Sequence, residues 1–109
     1  MKATGKLVIA AALAGLTGVV TAQSEPRSGE NIYDLYCQGC HRPDGQGPGT
    51  VMLGHRFGEE RASIRDNPTL NRDYLKQVVR HGFIEMAPFR KSEITDEELE
   101  RLADYILAD

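Results

Sequence analysis

The sequence predicts a small all-α domain, and three observations support this. Apolar residues recur at the helical spacing of three and four positions in three separate segments. A residue type that commonly caps helices stands before each segment, at Ser28, Asn71 and Thr95. No stretch alternates apolar and polar residues as a half-buried strand would. We therefore expect about three main helices.

The first predicted helix begins near Ser28 and ends near Gln38. Its apolar stripe consists of Gly29, Ile32, Tyr33 and Tyr36. The second begins at Asn71 and ends near His81, with Gly82 as the residue that terminates it. Its apolar face consists of Tyr74, Leu75, Val78 and Val79.

The third predicted helix begins at Thr95, which can form a capping box with Glu98. Its stripe consists of Leu99, Leu102, Ala103 and Ile106. Residues 42–49 are rich in glycine and proline and predict a loop. We expect the loop to continue through Val51–Leu53, and the charged stretch Arg56–Asn67 to be a loop with one helical turn.

The segment Cys37–His41 is a C-x-x-C-H motif, which is typical of covalent haem attachment. Thiols at Cys37 and Cys40 can each add to a vinyl group of one porphyrin, and His41 then presents an imidazole to the iron. We predict one haem c with His41 as the proximal ligand. The carbonyl of Pro48 is the expected acceptor for the His41 Nδ1–H, because the Gly47-Pro48 loop would cover that haem face.

Three other interpretations of the two cysteines exist. Half of a zinc site would need two further ligands, and His55 and His81 are too far apart for the usual histidine pair. A thioredoxin-type redox pair needs a strand–helix–strand context, which the surrounding sequence does not predict. A disulfide between the two cysteines would make His41 coincidental.

Met86 is the predicted sixth ligand, because it lies in a loop between the second and third helices. Methionine and histidine ligation raises the reduction potential, and a saturated iron favours electron transfer over catalysis. Met52 is the competing methionine, on the loop expected to cover the proximal face. His55 and His81 are the remaining alternatives.

Residues 1–22 are predicted to be a secretory signal peptide, which leaves residues 23–109 as a single domain. Lys2 and Lys6 precede an apolar run from Leu7 to Val20, and Val20-Thr21-Ala22 is a small-residue cleavage pattern. The run is shorter than the roughly 20 residues of a bilayer span. We therefore expect a periplasmic protein with no stable membrane span after cleavage.

Charge and size limit the partners of this domain. The chain has a net charge of −3, and loss of the two leader lysines makes it more acidic, so nucleic-acid binding is not expected. A domain this small buries a marginal core, which a covalent haem would complete. A basic rim around the methionine loop would steer acidic partners; its members are Arg80, Arg90 and Lys91.

In order along the chain, these features resemble a class I cytochrome c. The features include Gly29, Tyr33 and Tyr105: a glycine on the first helix lets the last helix cross at close range, and the two aromatic rings can pack around the crossing. A narrower resemblance is to the cytochrome c subunits of the 4-cresol dehydrogenase (p-cresol methylhydroxylase) and alkylphenol hydroxylase family. It rests on residues 29–37, GENIYDLYC, and 74–86, YLKQVVRHGFIEM. Two departures are Ala87, where that family commonly has proline, and a longer Arg56–Asn67 stretch.

The resemblance implies an electron-transfer protein rather than an enzyme. It would be the one-electron-accepting subunit of an FAD-dependent dehydrogenase that oxidises 4-alkylphenols, and it would pass electrons to a downstream periplasmic acceptor. One alternative is a freely diffusing cytochrome that serves another periplasmic dehydrogenase or a terminal oxidase. Another is an enzyme or gas sensor with an open haem position.

Overall fold

The structure is a computed structural model that describes residues 24–108 without a gap, together with positions 5, 12, 14–15 and 18–21. Most of the predicted signal peptide, including Ala22 at its cleavage site, therefore lies outside the described residues. Within the part of the chain that is described, no helix is long and apolar enough to cross a membrane.

Four α-helices form the domain: α1 (Gly29–Ile32), α2 (Pro48–Phe57), α3 (Arg72–His81) and α4 (Asp96–Ile106). A π-helical turn, Tyr33–Cys37, continues α1, and a 3₁₀ turn, Glu59–Arg61, follows α2. The β-structure of residues 24–108 amounts to one isolated bridge, between Phe83 and Met86. The all-α prediction is confirmed.

The residues predicted to begin the three helices form capping hydrogen bonds. The side chains of Ser28 and Asn71 each accept from the amide three residues on, at 3.1 and 2.9 Å. Thr95 and Glu98 form both bonds of the capping box, at 3.2 and 3.0 Å. Gly82 terminates α3 with a φ of 78°, a conformation that favours glycine.

The prediction of a loop through Val51–Leu53 is wrong, because α2 passes through this segment. Pro48 occupies the first helical position, where its fixed φ suits a helix and its missing N–H costs nothing. The buried residues of α2 are Thr50 and Gly54, which are both small. Val51, by contrast, is exposed, so α2 lacks the apolar stripe that identifies the other helices.

The core lies where the α1 segment crosses α4. A Cβ added to Gly29 would fall 2.7 Å from Tyr105 Cβ and closer still to the Arg101 carbonyl oxygen, so the contact requires glycine. The Tyr33 and Tyr105 rings pack beside this crossing with centroids 5.5 Å apart, in agreement with the predicted constellation. The fully or nearly buried aliphatic residues are Ile32, Leu75, Val79, Ile94, Leu99, Leu102 and Ile106.

An ion pair connects the segment before α1 to the first turn of α4. Arg27 Nε and Nη2 donate to the two carboxylate oxygens of Glu98, at 2.7 and 3.0 Å. Arg27 Nη2 also donates to the Glu93 carbonyl at 2.6 Å. Glu98 is only 6% exposed. The hydrogen bonds from Arg27, aided by the Thr95 amide, lower the pKa of Glu98 to about 2.

Candidate haem-binding site

Cys37 is the last residue of the π-helical turn that continues α1, and Cys40 lies in the turn that follows. The His41 amide donates to the Cys37 carbonyl at 2.8 Å and continues the helical winding through the motif. The two thiols are not joined to each other; Cys37 is buried and Cys40 is exposed. Burial, and to a lesser degree the Cys40 thiol, raises the pKa of Cys37 to about 12. A thioredoxin-type pair would instead require a lowered thiol pKa.

Burial favours the neutral imidazole at His41. It lowers the pKa of His41 below its ordinary value, and neutral imidazole is the form that binds metals. Its Nδ1 is buried and has no hydrogen-bond partner among the described residues. The expected bond to the Pro48 carbonyl is therefore not among the hydrogen bonds of the described residues, and Pro48 is the first residue of α2.

Gly49 lies directly against the imidazole of His41. A Cβ built on Gly49 would be 3.0 Å from His41 Cε1 and 3.2 Å from Nδ1. A larger residue at position 49 would therefore displace the ring. The sequence contains the signal for this approach, a glycine directly after Gly47-Pro48, but sequence analysis did not assign it a role.

Met86 closes a tight turn after α3 and is half-buried against the core. The Phe83 amide donates to the Met86 carbonyl at 3.0 Å, and the Met86 amide donates to the Phe83 carbonyl at 2.9 Å. Arg56, near the end of α2, forms an ion pair with Glu85 in this turn at 3.0 Å. The turn is thus closed by two backbone hydrogen bonds and connected to α2 by an ion pair. The role of Met86 as ligand stays a prediction.

The competing ligands lie on α2 and α3. Met52 is 37% exposed on α2, and His55 is exposed on the same helix. His81 is exposed at the end of α3, where its Nδ1 is 3.1 Å from the Gln77 carbonyl. No group of three or more His, Cys, Asp or Glu residues suited to a metal ion occurs among the described residues.

The predicted basic rim is largely paired with carboxylates. Arg80 and Lys91 both contact Asp96, at 3.0 and 2.6 Å, and Arg90 contacts Glu93 at 3.5 Å. The net positive charge of this surface is therefore smaller than the sequence indicates.

The residues of the site fit a haem group. Two thiols, a neutral imidazole and a thioether are the donor set of a histidine–methionine c-type centre. Several large apolar side chains are exposed on the segments that carry these donors and on α2 and α3, as expected for residues that pack against a large apolar cofactor. They are Leu35, Val51, Met52, Phe57, Tyr74 and Ile84.

Comparisons with known proteins support this interpretation. A family profile described as cytochrome c oxidase, cbb3-type, subunit III, matches residues 24–106. The cytochrome c subunit of 4-cresol dehydrogenase [hydroxylating] from Pseudomonas putida is 35% identical over 89 residues, which is 82% of this chain and 66% of that protein. The chain thus spans just under two thirds of this relative's length.

A crystal structure of p-cresol methylhydroxylase with substrate bound matches with a TM-score of 0.54 and 33% identity, over 74% of this chain and 90% of the matched chain. The predicted fold class is confirmed, and the match is to electron-transfer subunits rather than catalytic ones. Membership of this family implies haem as the cofactor. The chain therefore belongs to the cytochrome c family, in the group described as cytochrome c oxidase, cbb3-type, subunit III.

Proposed function

We propose that this chain is a periplasmic, monohaem c-type cytochrome that accepts single electrons from an FAD-containing subunit oxidising 4-alkylphenols. The observation that carries the proposal is the 35% identity to a 4-cresol dehydrogenase cytochrome subunit across 82% of this chain. The segments 29–37 and 74–86, which include the first cysteine and Met86, carry the sequence resemblance to that family.

Each donor of the site has a distinct role in this proposal. Cys37 and Cys40 would hold the haem through thioether bonds, and His41 would bind its iron through Nε2. Met86 would bind the iron through its sulfur, and such ligation would keep exogenous ligands out and raise the reduction potential. When bound, haem supplies a one-electron Fe(III)/Fe(II) couple, and the protein sets its potential and its access to partners.

The proposed location depends on the leader. Cleavage after Ala22 would release residues 23–109 into the periplasm, where a downstream electron acceptor would oxidise the cytochrome. The mass of the secreted protein tests this step directly. A mature chain that begins at Gln23 supports it, and a secreted chain that retains residues 1–22 contradicts it.

The partner is tested by co-expressing the chain with the FAD-containing subunit of a 4-alkylphenol dehydrogenase and purifying through a tag on the cytochrome. We expect the two to co-purify, and a 4-alkylphenol to reduce the cytochrome in the complex. A mixture without the flavoprotein is the control. Absence of both co-purification and phenol-dependent reduction would refute the proposed partner.

A freely diffusing carrier that serves a terminal oxidase is the second candidate, because the matching family is described as an oxidase subunit. This candidate predicts a cytochrome that purifies without a partner. Membranes that contain a terminal oxidase should then reoxidise the reduced cytochrome rapidly. Stable co-purification with a flavoprotein would contradict it.

A further inference from the structure

The first turn of α2 holds the backbone on both sides of His41. The amides of Gly49 and Thr50 donate to the Cys40 carbonyl, at 2.9 and 3.1 Å. The Thr50 hydroxyl donates to the Arg42 carbonyl at 3.0 Å. The residues before and after His41 are therefore attached to the same helical turn.

The carbonyl of His41 itself is held from the opposite side, by the α1 segment. The Tyr33 hydroxyl donates to it at 2.6 Å. Tyr33 is 3% exposed, and its ring packs against Tyr105. Three consecutive carbonyls, at positions 40–42, thus accept hydrogen bonds from two elements; we call the donors Tyr33, Gly49 and Thr50 the carbonyl clamp.

Neither hydroxyl is needed to fill space. Phenylalanine would supply the same ring contacts at position 33, and valine has the shape of threonine at position 50. Thr50 is 3% exposed, and a buried hydroxyl must find a partner or its desolvation is uncompensated. In both residues the partner is a carbonyl of the segment that carries His41.

The imidazole of His41 has no comparable restraint on its ring. Its buried Nδ1 has no hydrogen-bond partner among the described residues. The ring is limited by contact with Gly49 and by the position of its own backbone. Metal-binding histidines are commonly oriented through the second ring nitrogen; the hydrogen bonds of the carbonyl clamp restrain the backbone that carries the ring.

We infer that Tyr33 and Thr50 are positioning residues for the His41 ligand, which they orient by fixing its backbone rather than its ring. The inference rests on the proposed haem ligation. The clamp consists of hydrogen bonds within the polypeptide, so it positions the histidine through the chain's own fold.

The test uses the haem-loaded protein with the variants Tyr33→Phe and Thr50→Val. Proton NMR of the ferric form reports the paramagnetic shifts of the haem methyl groups, whose pattern depends on the orientation of the axial imidazole. We expect both variants to change this pattern. In Thr50→Val, we also expect amide exchange at position 49 to rise about fivefold, the factor implied by the net worth of one hydrogen bond.

Two matched variants separate positioning from general destabilisation. Thr50→Ser retains the hydroxyl and should keep the wild-type methyl pattern. Tyr36→Phe removes a hydroxyl from the helical segment that also carries Tyr33. Among the described residues, this hydroxyl accepts one hydrogen bond, from Arg27 at 3.2 Å. The variant should leave the haem methyl pattern unchanged whatever it does to stability. If either test variant does not fold, the other carries the test.

Wild-type methyl patterns in Tyr33→Phe and Thr50→Val would overturn the inference and leave the proposed function intact. The same change in Tyr36→Phe as in Tyr33→Phe would also overturn it, because the effect would then be unspecific. A wild-type protein that carries no haem would refute the proposed function, and this inference with it.

Discussion

The charge of Glu98 should stabilise the fold at neutral pH and lose this effect in acid. The carboxylate accepts two hydrogen bonds from the Arg27 guanidinium, at 2.7 and 3.0 Å, and one from the Thr95 amide at 3.0 Å. Replacement by glutamine retains the size and one acceptor oxygen but removes the charge. The substitution therefore removes the charge together with one of the two oxygens that accept from Arg27.

The magnitude follows from the pKa of Glu98, which falls from 4.5 to about 2 in the folded state. Such a shift corresponds to about 3 kcal/mol by proton linkage. The Arg27 side chain is 35% exposed, so solvent screening reduces this, and we expect Glu98→Gln to cost about 2 kcal/mol at pH 7. Because the folded pKa is lowered, this stabilisation is complete above pH 4.5 and disappears as the pH falls towards 2.

Urea denaturation at pH 7 and pH 2.5 measures the free energy of unfolding of both proteins. The difference between wild type and Glu98→Gln should be large at pH 7 and about a quarter as large at pH 2.5, because the pKa of folded Glu98 is about 2. Glu97→Gln is the control: Glu97 forms an exposed ion pair with Arg101, and its loss should cost about 0.3–0.5 kcal/mol. Equal differences at the two pH values would refute the assigned charge effect.

Three further substitutions, the last with a matched control, test the helix crossing and the site. Gly29→Ala should lower the free energy of unfolding by about 3 kcal/mol in urea, because the added Cβ meets the backbone of α4; a neutral effect would contradict the close crossing. Gly49→Ala should shift the reduction potential, because its Cβ would lie 3.0 Å from His41 Cε1; an unchanged potential would show that the ring tolerates it. Met86→Ala should abolish the near-infrared sulfur–iron(III) band and lower the reduction potential. Met52→Ala should keep the band and the wild-type reduction potential; the reverse result would make Met52 the ligand.

The helices that could be predicted are those with complete local signals. The side chains of Thr95 and Glu98 each accept a hydrogen bond from the other's backbone amide. The start of α4 therefore depends on residues within one turn of each other in sequence. Asn71 and Gly82 bracket α3 in the same way. Gly29 was informative because a residue without a Cβ allows the last helix to cross the first at close range.

Helix α2 could not be recognised by periodicity, because its buried residues are Thr50 and Gly54 rather than large apolar ones. The buried residues of α2 are small because the helix lies close to the segment around His41. That contact is a tertiary feature, which the local sequence does not encode. Pro48 at the first helical position was the one available signal. The hydroxyl bond of Tyr33 to the His41 carbonyl likewise depends on how the chain turns after Cys40, which spacing alone does not reveal.

The central claim is that one haem is covalently bound to this chain through Cys37 and Cys40. Intact-mass spectrometry of the secreted protein after acid–acetone extraction, together with its pyridine haemochrome spectrum, tests it most directly. We predict the mass of residues 23–109 plus one haem, with the spectrum of a haem whose two vinyl groups are saturated. A colourless protein with the mass of the polypeptide alone would contradict the claim.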